Sequence, residues 1–518
     1  VQLSGVTFQK PFRIFLYILG GAVLALGIVA AVLILRFQPI ARDYVMAALR
    51  EHYRSEVELG DLQISLFPSV RATGENLELR FGGRRDLPPM IRVRQFVLDA
   101  SFVGFFRSPK RISLLRLDGL EIQAPPKSEA HPSRGETGIE KKFTFVLDEV
   151  IADGAELRTN PSDPSKDPLI FRIPRLTLHS VGLGQPMTFD AQVENAKPPG
   201  LIHSTGQFGP WNGQQPSGTP LAGDYTFRNA DLSVFKGISG TLASDGKYRG
   251  ELDKLEVHGT ADVPDFALDI GYHAMHLATE FDATVDGTDG DTRLHPVRAR
   301  LGGSSFEVSG AIARNALEKN KEIDLDAKAN DDSLDDFLRL TVKAARPPMT
   351  GRIGFSTKVK IPPGPASVAD RIQLDGTFRL DGVRFTSADV QSKLAAVSHR
   401  AQGRPDDHDP NVSSAFNGQF HLRNGQLALP HLDFEMPGTH ILLAGGYGLR
   451  SGAMDFTGTA RLDATVSQMT TGIKRLLLKP VDPLFRRDGA GTVIPIHIGG
   501  TRGSPSFAVD IGKIIRRK

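Results

Sequence analysis

His273 and His276 stand three residues apart with Glu280 close behind, a spacing that on a helix would aim two imidazoles and a carboxylate at one metal ion. Their neighbours alternate apolar and polar, however, and on a strand an offset of three sends the rings to opposite faces. They read as surface histidines. The string GTLASDGKY, from Gly240 to Tyr248, resembles a phosphate loop, but five residues separate its glycines and Tyr248 stands where a Mg²⁺-binding Ser or Thr belongs. It reads as a hairpin turn. DGTDGD from Asp286, with Asp289 and Asp291, offers hard oxygens without the bidentate Glu of a calcium loop, and reads as a polar turn. PDDHDP gathers Asp406, Asp407, His408 and Asp409 in a solvated acidic loop. Neither G-x-S-x-G nor H-E-x-x-H occurs, and cysteine is absent, which removes thiol nucleophiles, disulfide scaffolds and Cys-ligated metals. The residues therefore assign no catalytic group, no metal and no cofactor, and the chain is expected not to be an enzyme.

The elements around these residues are strands. Leu62, Ile64 and Leu66 alternate with polar residues, as do Ile91 and Val93, Phe143 to Leu147, Phe189 to Val193, Leu277 to Val285 and Phe456 to Val466. Asp118-Gly119, Asp153-Gly154, Asp245-Gly246, Asp381-Gly382 and Asn424-Gly425 punctuate the runs as hairpin turns would. Helical spacing beyond residue 60 is confined to short pieces near Asp332–Leu340, Ser387–Val397 and Met469–Leu478. GDYTFRNA from Gly223, GTFRLDGV from Gly376 and GQFHLRNG from Gly418 share Gly, then an aromatic residue, then Phe or Leu at every second position, which fits a repeated hairpin unit. The net charge of +3 over 518 residues, with 62 basic and 59 acidic side chains, points to no nucleic-acid partner.

From Ile14 to Leu35 the chain is uncharged and apolar, long enough for the roughly 20 residues that cross a bilayer core. It is too long for the apolar region of a cleaved signal peptide. Lys10 and Arg13 precede it, so a single-pass anchor is expected, with the N-terminus cytoplasmic and the body periplasmic in a cell with two membranes. A short amphipathic helix is expected after Pro39. The terminal KIIRRK reads as a solvated tail. The resulting division is a tail at 1–11, a transmembrane helix at 12–37, β regions at 38–126, 143–399 and 413–518, and loops at 127–142 and 400–412.

An alternating strand has an apolar face, and leaving it in water costs about 25 cal/mol per Å². A second sheet could cover it, giving a sandwich, or acyl chains could, giving a lipid groove. The period alone fits both.

VELGDLQISLFPSVRATGENLEL from Val57, PPMIRVRQFVLDASFVGFFRSPKRISLLRLDGLEIQAPP after it, and LDGTFRLDGVRFTSADVQSKLAAVSHRAQGRP, GTARLDATVSQMTTG and GAGTVIPIHIGGTRGSPSFAVDIG near the far end resemble, in that order, the AsmA family of bacterial envelope proteins. The resemblance covers about residues 10–126 and 270–518. It implies a mainly β fold, in which an N-terminal transmembrane helix precedes an elongated, curved antiparallel groove with a few short helices. The family is related to TamB and chorein-type bridge proteins. The groove would shield phospholipid acyl chains between inner and outer membranes, with outer-membrane or periplasmic proteins as further partners. The expected lipid-facing residues are Leu62, Ile64, Leu66, Phe281, Val285, Phe378, Leu380, Phe420, Leu422, Phe456 and Leu462. The competing expectation is an assembly factor for outer-membrane proteins with a closed, dry β core.

Overall fold

Alternation with period two carries into strand after strand of one continuous sheet. The computed structural model describes Gly21 and, with breaks, residues 56–509; the breaks fall at 66–68, 81–88, 90, 102–109, 125–144, 160–168, 183–184, 211–217, 252, 270, 272, 287–290, 315–320, 365, 471–478, 480–490 and 502–503. The expected membrane helix at 12–37, its flanking tail, the helix after Pro39, the loop at 127–142, Leu66 and KIIRRK lie outside the described residues. Among the described residues no helix is long and apolar enough to cross a membrane.

β1 (Glu56–Glu58) and β2 (Leu62–Ser65) share the first rung against β3 (Val70–Arg80), followed by β4 (Ile91–Ala100) and β5 (Lys110–Ala124), all antiparallel. β6 (Phe145–Asp153) and β7 (Ala155–Thr159) then run parallel to β5, with Leu115 opposite Val150 and Ile122 opposite Leu157. The sheet is therefore mixed, not purely antiparallel as expected. The segment at 125–144 has the dozen or more residues that a parallel crossover needs.

β8 (Leu169–Gly182) restores antiparallel pairing. The meander continues through β9 (Met187–Ala196), β10 (Pro199–Phe208), β11 (Pro220–Asp231), β12 (Ile238–Ser239) with β13 (Thr241–Glu251), β14 (Lys254–Leu268), β15 (Met275–Val285) and β16 (Thr292–Leu301). β17 (Ser304–Arg314), β18 (Lys321–Ser333), β19 (Met349–Ile361), β20 (Gln373–Phe385), β21 (Ser414–Arg423) and β22 (Gln426–Met436) follow. The last strands are β23 (Thr439–Gly448), β24 (Met454–Leu462), β25 (Thr492–Thr501) and β26 (Ser504–Val509). At ~4.8 Å per rung the pairing direction extends on the order of 100 Å, less what twist removes. Among the described residues three short α-helices interrupt the meander: α1 (Leu334–Thr341), α2 (Val368–Arg371) and α3 (Ala388–Ala401). Two of them fall where helical spacing is read in the sequence.

Of the five expected hairpin turns, only Asn424-Gly425 turns between two strands that pair with each other, β21 and β22; Gly154 links β6 to β7, which lie end to end. Asp118-Gly119, Asp245-Gly246 and Asp381-Gly382 lie inside β5, β13 and β20, and GTLASDGKY runs along β13 instead of turning. The reason is backbone conformation. Gly119, Gly154 and Gly382 have φ of +63°, +67° and +60°, which serves a bulge as well as a turn. At Gly119 the register with β4 does not shift, and Leu117 and Leu120, three apart on either side of the positive-φ glycine, both stay fully buried. Ala152 and Ala155, flanking Asp153-Gly154, do the same one rung on, whereas in β20 an extra residue between Leu380 and Val383 makes a true bulge that buries both.

The core proper lies in β3–β8. Phe96, Leu98, Leu115, Leu117, Leu120, Ile122 and Leu147 are at most 1% exposed and belong to one contiguous cluster.

Candidate functional site

Register extends that inward face through nearly the whole sheet. One line of paired residues runs Ile64, Ala72, Leu98, Leu115, Val150, Leu178, Phe189, Gly206, Gly223 and Tyr248. It continues through Val257, Ala283, Leu294, Gly310, Leu325, Val359, Leu374, Leu422, Leu427, Tyr447 and Met454. Tyrosine supplies the only polar side chains in the line. Phe281 and Val285 flank Ala283 on this face, Phe378 and Leu380 follow Leu374, Phe420 precedes Leu422, and Phe456 and Leu462 follow Met454. All eight expected lining residues from Phe281 onward thus share one surface. Leu380, Leu422 and Leu462 are buried and the other five half-buried. Leu62 lies opposite Gly74 on the same face and packs against the dry cluster of β3–β8.

Beyond β8 the inward face interleaves small residues with aromatic ones. Gly223 pairs with Tyr248 while Tyr225 pairs with Gly246; Gly376 pairs with Phe420 while Phe378 pairs with Gly418. These reciprocal pairs contain all three segments whose self-similarity is visible in the sequence. Each ring lies across a neighbouring strand where a side chain would otherwise stand. A Cβ on Gly418 would meet the Phe378 ring at 3.0 Å, and one on Gly223 the Tyr248 hydroxyl at 2.7 Å. The rings thereby floor the face instead of projecting from it.

Helices close parts of one long edge. α1 seats Phe337 between Phe306 of β17 and Phe355 of β19, with ring centroids 6.0 and 5.4 Å away. Its Leu334 packs with Leu380 and Val383. α3 places Ala395 against Phe434 and Met436. Its buried His399 has Nε2 2.8 Å from the Asp409 carbonyl and Nδ1 3.4 Å from Asp407, so the PDDHDP loop folds back on the helix. The Asp409 N–H, then the charges of His399 and Arg404, hold the Asp407 carboxyl below the ordinary range. The two long edges come close where a Cβ on Gly237, after β11, would lie 3.7 Å from Val368, after β19.

The outward face is polar and ion-paired. Asp224 faces Lys247 at 3.1 Å, His258 faces Asp282 at 2.7 Å, and Lys360 reaches Glu322 at 2.7 Å. Asp375 accepts from Arg423 and, at 2.7 Å, from His421; these hydrogen bonds, Arg423 first, hold its carboxyl below the ordinary value. His276 belongs to this ladder through Asp262, and His273 lies beside the Ala344 carbonyl at 3.1 Å, so the two form no joint site. Asp433, Glu435 and His440 also cluster here, with ligand atoms within 4.8 Å of one another and His440 Nε2 2.7 Å from Asp433, close enough for an ion pair among the three themselves.

Two features escaped the sequence reading. Tyr225, Tyr248, Ser204 and Ser244 form a hydroxyl belt on the inward face, signalled only by tyrosine where the other segments have Phe. The glycines opposite aromatic residues were visible as a repeat but not as a floor. No family model, curated protein or solved structure matches this chain.

Proposed function

We propose that the chain is a lipid-binding groove protein of the AsmA-like bridge type, anchored in the inner membrane with its body in the periplasm, which shields phospholipid acyl chains on the way to the outer membrane. The observation that carries this reading is the continuous inward face of β9–β25, apolar apart from a belt of tyrosine and serine hydroxyls and largely half-buried, backed by a charged outward face. A half-buried Phe or Leu leaves roughly 50 Å² of apolar area to water, about 1 kcal/mol at ~25 cal/mol per Å². Ten such residues cost on the order of 10 kcal/mol, as much as the net stability of a domain. Acyl chains on this face remove that cost while their headgroups stay at the watery edges.

The test is a photoactivatable side chain placed at Phe281, Phe420 or Phe456 in the full chain in cells, with Arg298 and Thr457 as outward controls. Lipid adducts at the three inward positions and not at the controls support the groove. Absence of adducts at all three sinks it. The dry cluster in β3–β8 is what a closed assembly factor requires; that second reading predicts protein adducts, and no lipid, at the inward positions.

A further inference from the structure

The Tyr225–Tyr248 belt interrupts the apolar face with two phenols whose protons are already committed. Ser204 Oγ donates to the Asp224 carbonyl at 2.9 Å and stands 2.7 Å from the Tyr248 hydroxyl. Ser244 Oγ donates to the Thr260 carbonyl at 2.8 Å and stands 3.1 Å from the Tyr225 hydroxyl. A serine hydroxyl has one proton, so in each pair the serine oxygen accepts and the phenol donates. Both phenol oxygens keep acceptor lone pairs and have no proton left to give. Burial, ahead of all other causes, pushes both phenols above their ordinary pKa, so they stay neutral. The rings stack with centroids 6.5 Å apart over Gly246 and Gly223. At the equivalent glycine-facing places Phe189, Phe281, Phe378 and Phe456 serve without a hydroxyl, so the phenol oxygens are not required for that packing.

On the reading of this face as a lipid groove, we propose that the belt selects apolar chains carrying a hydrogen-bond donor, a hydroxylated acyl chain in particular. A plain methylene chain lying there leaves two acceptors dry, whereas a chain hydroxyl satisfies one. A hydrogen bond of this kind corresponds to roughly a 2- to 10-fold preference. Phospholipids with plain chains would pass the belt but not rest at it.

The test is displacement of a fluorescent fatty acid from the full chain by hydroxystearate and by stearate, repeated with the variant Tyr225→Phe, Tyr248→Phe. Hydroxystearate should displace at about fivefold lower concentration in the native chain, and the double variant should bring the two acids level. Equal displacement in the native chain, or a preference that survives the double variant, overturns the belt's role while leaving the groove standing. No binding of the fluorescent acid to either chain overturns the groove itself and the belt with it.

Discussion

Leu120 and Phe420 hold equivalent places, each an inward residue of a long strand on the same continuous face, yet Leu120 is fully buried and Phe420 half-buried. Their neighbours explain this. Around Leu120 the inward positions are Val93, Leu117 and Ile122, branched side chains on adjacent rungs that fill the space above the sheet. Around Phe420 they are Gly376, Gly418 and Leu422, two of which contribute no volume. The same contrast holds generally: β4–β8 are lined mainly by Leu, Ile, Val and Phe, with Ala100, Ala152 and Ala155 among them, whereas β10–β25 repeatedly place Gly, Ser or Thr inward as well. Side-chain volume on one face separates a dry core from an open floor within a single sheet.

The most severe break of this contrast is a charge in each half. Leu120→Asp buries an unpaired carboxylate and should cost ~4 kcal/mol or more, seen as loss of cooperative unfolding or of soluble protein. Phe420→Asp places the same charge on a half-open face and should cost about 1–2 kcal/mol while removing bound lipid. Equal destabilisation in thermal unfolding would mean that the two faces are packed alike.

Next in size is Gly458→Val in β24. Its Cβ would stand 1.9 Å from the Leu442 carbonyl, so the neighbouring strand must shift; a loss of about 2–3 kcal/mol is expected from chemical unfolding. An unchanged midpoint would show that the inward glycines are incidental and that volume does not keep the floor open.

The period-two pattern marked Phe281, Val285, Phe378, Leu380, Phe420, Leu422, Phe456 and Leu462 as apolar positions of strands but left open which way each strand faces; only the register put them on one surface. The pattern misled at Asp118-Gly119 and Asp381-Gly382, since positive φ at glycine also fits inside a strand, without a register shift at Gly119 and with a bulge at Gly382. The parallel junction between β5 and β6 was illegible for another reason: a crossover segment and a surface loop have the same polar composition. Dry and open halves could have been told apart by counting inward glycines, but only once register had shown which glycines face inward.

A smaller effect is expected where a helix covers the open floor. Phe337→Ala in α1 removes a half-buried ring held between Phe306 and Phe355 and should cost about 1–2 kcal/mol. Lipid bound per chain should not fall, because the substitution uncovers apolar surface. A fall would show that α1 helps hold the ligand instead of merely closing the edge.

The smallest effect belongs to the outward face. Asp375→Asn breaks exposed pairs with Arg423 and His421, where ~0.2–1 kcal/mol is typical. The folded carboxyl is held below its unfolded value, so its contribution is whole above about pH 4–5 and disappears as pH falls through the lowered folded value. Thermal unfolding of native and variant chains should therefore differ slightly at neutral pH and converge in acid; a difference that persists in acid would assign the loss to packing. Asp99, which accepts from Arg71 at 2.6 Å behind the dry core, should respond to the same substitution as weakly at neutral pH. Agreement between Asp99 and Asp375, beside the wide gap between Leu120 and Phe420, would place the whole difference between the two halves on the inward side of the sheet.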